Sequence, residues 1–140
     1  MEVVYDRENE WYIVKEKIDN QTFFMEFQIY DRTDDTIYFN ICMGVYNKRK
    51  HADRNENEAR MTGQNPMKTV ITAMRAFDVL EKEVINSYKG HRKHISCCWV
   101  DNRRRDAYYR FLSKRGYQYG KIGNMKCIYK IYEVNNEKSN

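Results

Sequence analysis

Two stretches of this chain alternate apolar and polar residues with little interruption, and they constrain the fold more than any other feature. Over residues 22–30 the apolar positions are Phe23, Met25, Phe27 and Ile29; over 36–46 they are Ile37, Phe39, Ile41, Met43 and Val45. Period-two alternation rich in aromatic and β-branched residues is the signature of a strand with one buried face. The intervening Asp31, Arg32, Thr33, Asp34 and Asp35 are a turn sequence, and Asp19-Asn20 marks another just upstream. Residues 11–18 read as a third strand with imperfect alternation, and 2–5 as a short fourth. An antiparallel meander of three or four strands is expected.

The pattern then changes. Residues 47–60 are polar, charged and aperiodic, which predicts a long loop. Asn65 suits a helix N-cap and Pro66 the first helical position. Beyond them Val70, Ala73 or Met74, Phe77, Leu80 and Val84 recur at three and four residues. This spacing predicts a helix over 66–85 with Val70, Met74, Phe77 and Leu80 facing the sheet. Residues 94–100 read as a short apolar strand. Asp101 or Asn102 caps a second helix, which runs to about 115 with Ala107, Tyr108, Phe111 and Leu112 as its stripe. Gly116 is placed to end it, with Lys114 and Arg115 in its last turn. Residues 117–119, a turn over 120–124 and residues 125–134 complete a hairpin, and 135–140 form a polar tail. The expectation is one α+β domain over 1–134: a central, mostly antiparallel sheet of six to seven strands flanked by two main helices.

At 140 residues the chain is long enough to build a core without covalent staples. No apolar run approaches the ~18 residues of a membrane span, and the N-terminus does not read as a secretion signal, so a cytoplasmic setting without membrane contact is expected. Cys42, Cys97, Cys98 and Cys127 form no Cys-x-x-Cys pair and sit in apolar, strand-like stretches, as buried reduced thiols do. Charge is uneven. Residues 86–130 carry 12 Lys and Arg against 2 Asp and Glu, whereas residues 1–85 carry 12 against 16. A basic second half implies an anionic partner.

Two segments carry candidate chemistry. The first is Arg60-Met61-Thr62-Gly63-Gln64-Asn65, directly before the first helix, with Lys68 in its first turn. Free N–H groups and partial positive charge at a helix start suit a pyrophosphate, and a glycine there lets the phosphate approach the backbone; the same residues also read as a plain turn and cap. The second is Asn102-Arg103-Arg104-Arg105-Asp106-Ala107-Tyr108-Tyr109, opening the second helix, with a Gly116-Tyr117 pair beyond it. Three arginines oppose the dipole at a helix start, so local stability does not explain them and an anion would.

In the order of these elements the chain resembles the GNAT superfamily of acyl-CoA-dependent N-acetyltransferases, particularly its short, divergent phage-encoded members. The first segment compares with that family's Gln/Arg-x-x-Gly-x-Gly/Ala turn. The second compares with its Asn and Tyr placed seven residues apart, and the Gly-aromatic pair follows. The resemblance covers about residues 36–134. It implies a GNAT-like fold, acetyl-CoA as cofactor, and transfer of the acetyl group to an amine by direct attack, in the host cytoplasm if the chain is phage-encoded. It further implies Arg60, Gly63, Gln64, Asn65, Lys68, Asn102 and Arg105 as cofactor-binding residues, Asn102 on the pantetheine arm. Tyr109 would be the acid that protonates the departing thiolate, with Tyr108 in that role if the helix phase is shifted by one. A phenol, protonated at neutral pH, can donate.

No spacing selects a general base among Glu26, Glu56, Glu58 and the histidines. As acceptor the resemblance implies an amine-bearing small molecule or protein. Two other readings stand beside the enzyme: a non-catalytic GNAT-fold interaction or regulatory protein, and a small nucleic-acid binder. Both would use Arg103, Arg104 and Arg105 to hold an acidic protein or a nucleic acid. His91 and His94, three apart with no third ligand of matching spacing, do not make a metal site.

Overall fold

The computed structural model describes residues 1–47, 65–99 and 101–134. The fold is α+β: a seven-stranded, mostly antiparallel sheet with two helices. In chain order the elements are β1 (Val4–Asp6), β2 (Trp11–Ile18), β3 (Gln21–Arg32), β4 (Thr36–Asn47), α1 (Pro66–Ser87), β5 (Arg92–Cys97), α2 (Asn102–Leu112) continued by a 3-10 turn (Ser113–Arg115), β6 (Gln118–Ile122) and β7 (Met125–Tyr132). The strand order is β1-β2-β3-β4-β5-β7-β6. Every neighbouring pair is antiparallel except β4 and β5, which run parallel because α1 lies between them in the chain.

The local signals read from the sequence account for most boundaries. Asn65 caps α1 by accepting the Lys68 N–H at 3.2 Å, and Pro66 is its first residue. Asp101 takes the α2 cap from the Arg104 N–H at 2.8 Å, which leaves Asn102 as the first helical residue. Gly116 ends the helical run with φ at 90°, a conformation that only glycine adopts cheaply. The last hairpin is tighter than expected. Ile122 pairs with Met125, so the turn is Gly123-Asn124 alone and Gly120 belongs to β6. There Tyr129 lies across Gly120, and a Cβ at that position would come within 2.3 Å of its ring. The start of β5 also moves, to Arg92, because Thr36 and Ile37 extend the parallel ladder back to it.

Both helices cover one face of the sheet. Phe77 of α1 meets Phe27 of β3 at 5.7 Å and Phe111 of α2 at the same distance. Pairing puts Ile29, Phe39, Ile95, Lys130, Cys97, Ile128 and Tyr119 on that same face, since directly paired residues point to one side. Arg115 clamps the helices together: its guanidinium lies 5.3 Å from the Phe77 ring and 4.7 Å from the Phe111 ring, with Asp78 at 3.4 Å.

The α1 stripe is rotated from the one its large residues suggest. Phe77, Leu80 and Val84 are buried as expected, but Val70 is 43% and Met74 42% exposed. Thr69, Ala73 and Ala76 face the sheet instead, because small side chains let the helix backbone come close to a surface crowded with Phe27 and Met25. The Thr69 hydroxyl is satisfied by donating to the Asn65 carbonyl at 2.9 Å.

The second face of the sheet bears no helix among the described residues. It is still not a solvated face at β3, where Thr22, Phe24 and Glu26 are buried along with their odd-numbered neighbours. Phe24 packs on Tyr46 at 6.0 Å. Simple alternation had placed these even positions toward water.

Candidate functional site

The parallel pair is the topological irregularity of the sheet, and the candidate site lies at its end. Pairing between β4 and β5 runs from Thr36–Arg92 to Asn40–Ser96 and stops. β4 continues to Asn47, whereas β5 ends at Cys97 and the chain turns toward α2. The strands therefore part at their carboxyl ends, the position where open sheets with parallel strands bind ligands. The start of α1 lies at this end too: Asn65 and Lys68 touch Asp19, which sits beside the Gln21–Asn47 pair.

Of the two adjacent tyrosines of α2, Tyr108 is the one turned toward this parting. It is 7% exposed, and burial holds its phenol protonated well above the usual range, with smaller contributions from Cys97 of β5 and Cys42 of β4. Tyr109, one residue further round the helix, stacks on Tyr119 of β6 with ring centroids 4.3 Å apart and 11° between planes. That contact directs it toward the outer edge of the sheet.

The other candidate residues are dispersed. Asn102 is exposed in the first turn of α2. Lys68 is paired with Asp19 at 3.3 Å, and Asn65 donates to the same carboxylate at 3.4 Å. These contacts, the Asn65 hydrogen bond first, hold the Asp19 carboxyl below the usual range. The start of α1 thus already faces a carboxylate of its own chain. Arg103 is exposed. Arg105 bonds Asp106 at 3.0 Å and lines a cleft with Trp99 and Tyr119. Arg60, Gly63, Gln64, Glu56 and Glu58 lie outside the described residues, as does the loop expected over 47–60 except for Asn47, which is the last residue of β4 instead.

Glu26 is fully buried on the helix-free face, where Gln28 Nε2 donates to its Oε1 at 2.7 Å. It pairs across the ladder with Cys42, next to the parting. Beside it opens a cleft of about 350 Å3 lined by Gln28, Tyr30, Asn40, Ser96, Cys98 and Met125. Asn40 and Ser96 are also the last paired residues of β4 and β5, so this cleft reaches the point where those strands separate.

An aromatic run crosses the same face from four strands. Tyr30 meets Tyr38 at 6.1 Å, Tyr38 meets His94 at 5.3 Å, and His94 stacks on Tyr129 at 5.3 Å and 9°. Burial lowers the His94 pKa, so its ring is held neutral. Sequence reading missed this run because each residue comes from a different strand. The available signal was the set of tyrosines at even, outward positions of β3 and β4.

Cys97 and Cys127 are buried free thiols, and burial pushes the Cys127 thiol up to about 11. Cys42 and Cys98 are half-buried. Among the described residues no group of three His, Cys, Asp or Glu side chains is placed to hold a metal ion, and no helix is long and apolar enough to cross a membrane. No protein-family model, no curated protein and no solved structure matches this chain.

Proposed function

We propose that this chain is a GNAT-like acyl-CoA-dependent N-acyltransferase that passes an acetyl group to an amine by direct attack. The carrying observation is the parting of the parallel strands β4 and β5, with Tyr108 on the helix side and the Asn40/Ser96 cleft on the other. A thioester laid in the parting would present its sulfur toward Tyr108 and its carbonyl toward the cleft. The amine attacks the carbonyl carbon, the C–S bond breaks, and the thiolate takes the Tyr108 proton. The amine loses its proton toward Glu26, the buried carboxylate beside the cleft. The products are an amide and a free thiol; Glu26 releases its proton to solvent and a solvent proton restores the phenol. Like any tyrosine, Tyr108 is a phenol at neutral pH, which is the form able to donate, and burial favours that form further.

A second reading, non-catalytic use of the same fold, is favoured by one contact. Lys68 and Asn65 at the α1 start are engaged with Asp19, so they do not stand ready for a pyrophosphate.

The test is thiol release from acetyl-CoA with a panel of amines, peptides and polyamines, alongside melting with and without acetyl-CoA. At 100 times its Kd the ligand adds about 2.7 kcal/mol to stability. Tyr108→Phe is expected to lower turnover by roughly 10²–10⁴-fold, the worth of a positioned acid, while Tyr109→Phe leaves it near wild type. Neither turnover nor a melting shift in the wild-type protein would overturn the enzyme reading and leave the binding module.

A further inference from the structure

We propose that the cleft between the start of α2 and the β6–β7 hairpin binds a nucleoside phosphate, stacking the base on Tyr119 and holding the phosphate between Lys121 and Lys126. The cleft measures about 470 Å3 and is lined by Trp99, Arg105, Tyr119, Gly120, Lys121 and Lys126. That volume is within the usual range for small-ligand sites.

Three observations converge there. Lys121 and Lys126 are directly paired across the β6–β7 ladder, and like charges in that relation destabilise a sheet. Among the described residues neither lysine has an ion-pair partner. Their juxtaposition works against the fold and is offset by an anion. Tyr119 is 48% exposed, yet one face of its ring is stacked on Tyr109, and Trp99 stands nearly perpendicular to it at 6.1 Å. A half-exposed aromatic ring, braced by two others, therefore lies in the same cleft as two lysines without ion-pair partners. Base stacking on such a face is sequence-tolerant, and the cations supply the phosphate contact. Arg105 adds a third cation at the wall, with one side of its guanidinium engaged by Asp106. An acidic peptide would use the cations but leave the aromatic platform without a role, which is why a nucleotide fits better.

The site does not depend on the acyl-transfer reading, because none of Tyr119, Lys121 and Lys126 takes part in that step. A free nucleotide and a single-stranded nucleic acid offer the same unit, and the experiment separates them. Binding of ATP and of a fluorescent 12-nucleotide oligo-dT to the full chain is measured by titration and anisotropy at several salt concentrations. Equal affinity per site for both identifies the free nucleotide as ligand. Much tighter, steeply salt-dependent oligomer binding identifies the strand. Lys121→Gln/Lys126→Gln is expected to weaken binding at least tenfold and reduce the oligomer's log–log salt slope by about 1.4, at about 0.7 per single-strand phosphate contact. The same double variant should melt no lower than wild type, since a repulsive pair has been removed. Tyr119→Ala should cost about 5- to 150-fold in affinity, and Tyr119→Phe should recover most of it. Absence of binding by both probes to wild type at low salt overturns the proposal. Undiminished binding in the double-lysine variant overturns it as well.

Discussion

Phe77 is the residue on which the packing of this domain is most directly tested. It is 0% exposed, and its ring meets Phe27 of β3 at 5.7 Å, Phe111 of α2 at 5.7 Å and Tyr117 at 5.8 Å, all at steep angles. Arg115 lies over the same ring at 5.3 Å. Truncation of a buried Phe to Ala costs about 3–5 kcal/mol, from lost transfer energy plus the cavity left behind. Each edge-to-face partner adds roughly 0.5–1.5 kcal/mol beyond area, so Phe77→Ala belongs at the upper end, about 4–5 kcal/mol. Against a total stability of about 5–15 kcal/mol this is a large fraction. At roughly 4 °C per kcal/mol for a chain of this size, the melting temperature falls by about 15–20 °C. Phe77→Leu retains the apolar volume and isolates the ring contacts, at about 1–2 kcal/mol. The assay is urea unfolding followed by circular dichroism, reading the midpoint at constant slope. A Phe77/Phe111 double-mutant cycle, both changed to Leu, should show a coupling of about 0.5–1.5 kcal/mol. A cost below about 1.5 kcal/mol for Phe77→Ala, or strict additivity in the cycle, would refute the view that this ring joins α1, α2 and the sheet.

The rotated α1 stripe gives a paired prediction: Val70→Gln and Met74→Gln should stay within about 0.5 kcal/mol of wild type in thermal melts. Ala76→Leu should destabilise by about 1–3 kcal/mol through overpacking, and the reverse ranking would mean that the helix faces the other way. The acid limb of stability should depend on Asp19. Hydrogen bonds from Asn65 and Lys68 hold its folded-state pKa below the ordinary 3.8, so the folded protein binds fewer protons there than the unfolded chain. Its contribution is full above that ordinary value and lost as pH falls through the folded one. Melts from pH 6 to pH 2 should show Asp19→Asn less stable than wild type at pH 6 and converging with it at the acid end. A constant gap across the range would show that the ionised carboxylate is not what matters.

Local physics was legible in the residues themselves. Alternation in β3 and β4, the Asn65-Pro66 start of α1, an α2 cap at Asp101 or Asn102 and the Gly116 stop each depend on a few neighbouring residues, so the element order could be read without any partner. Which of Tyr108 and Tyr109 faces the parallel strands could not, because a helix phase is decided by what lies beneath it. Here Tyr119 captures the second ring, and the first turns toward β4 and β5. The rotation of α1 has the same origin. Counting large apolar residues favours Val70 and Met74, while closeness of approach favours Ala73 and Ala76. The clefts lay furthest from view. The aromatic run from Tyr30 to Tyr129, the Asn40–Ser96 end of the parallel ladder and the opposed Lys121 and Lys126 are all products of strand order and register. Chain pattern determines which face of a strand is apolar; which strands become neighbours is a non-local choice, made only when the whole sheet closes around its core.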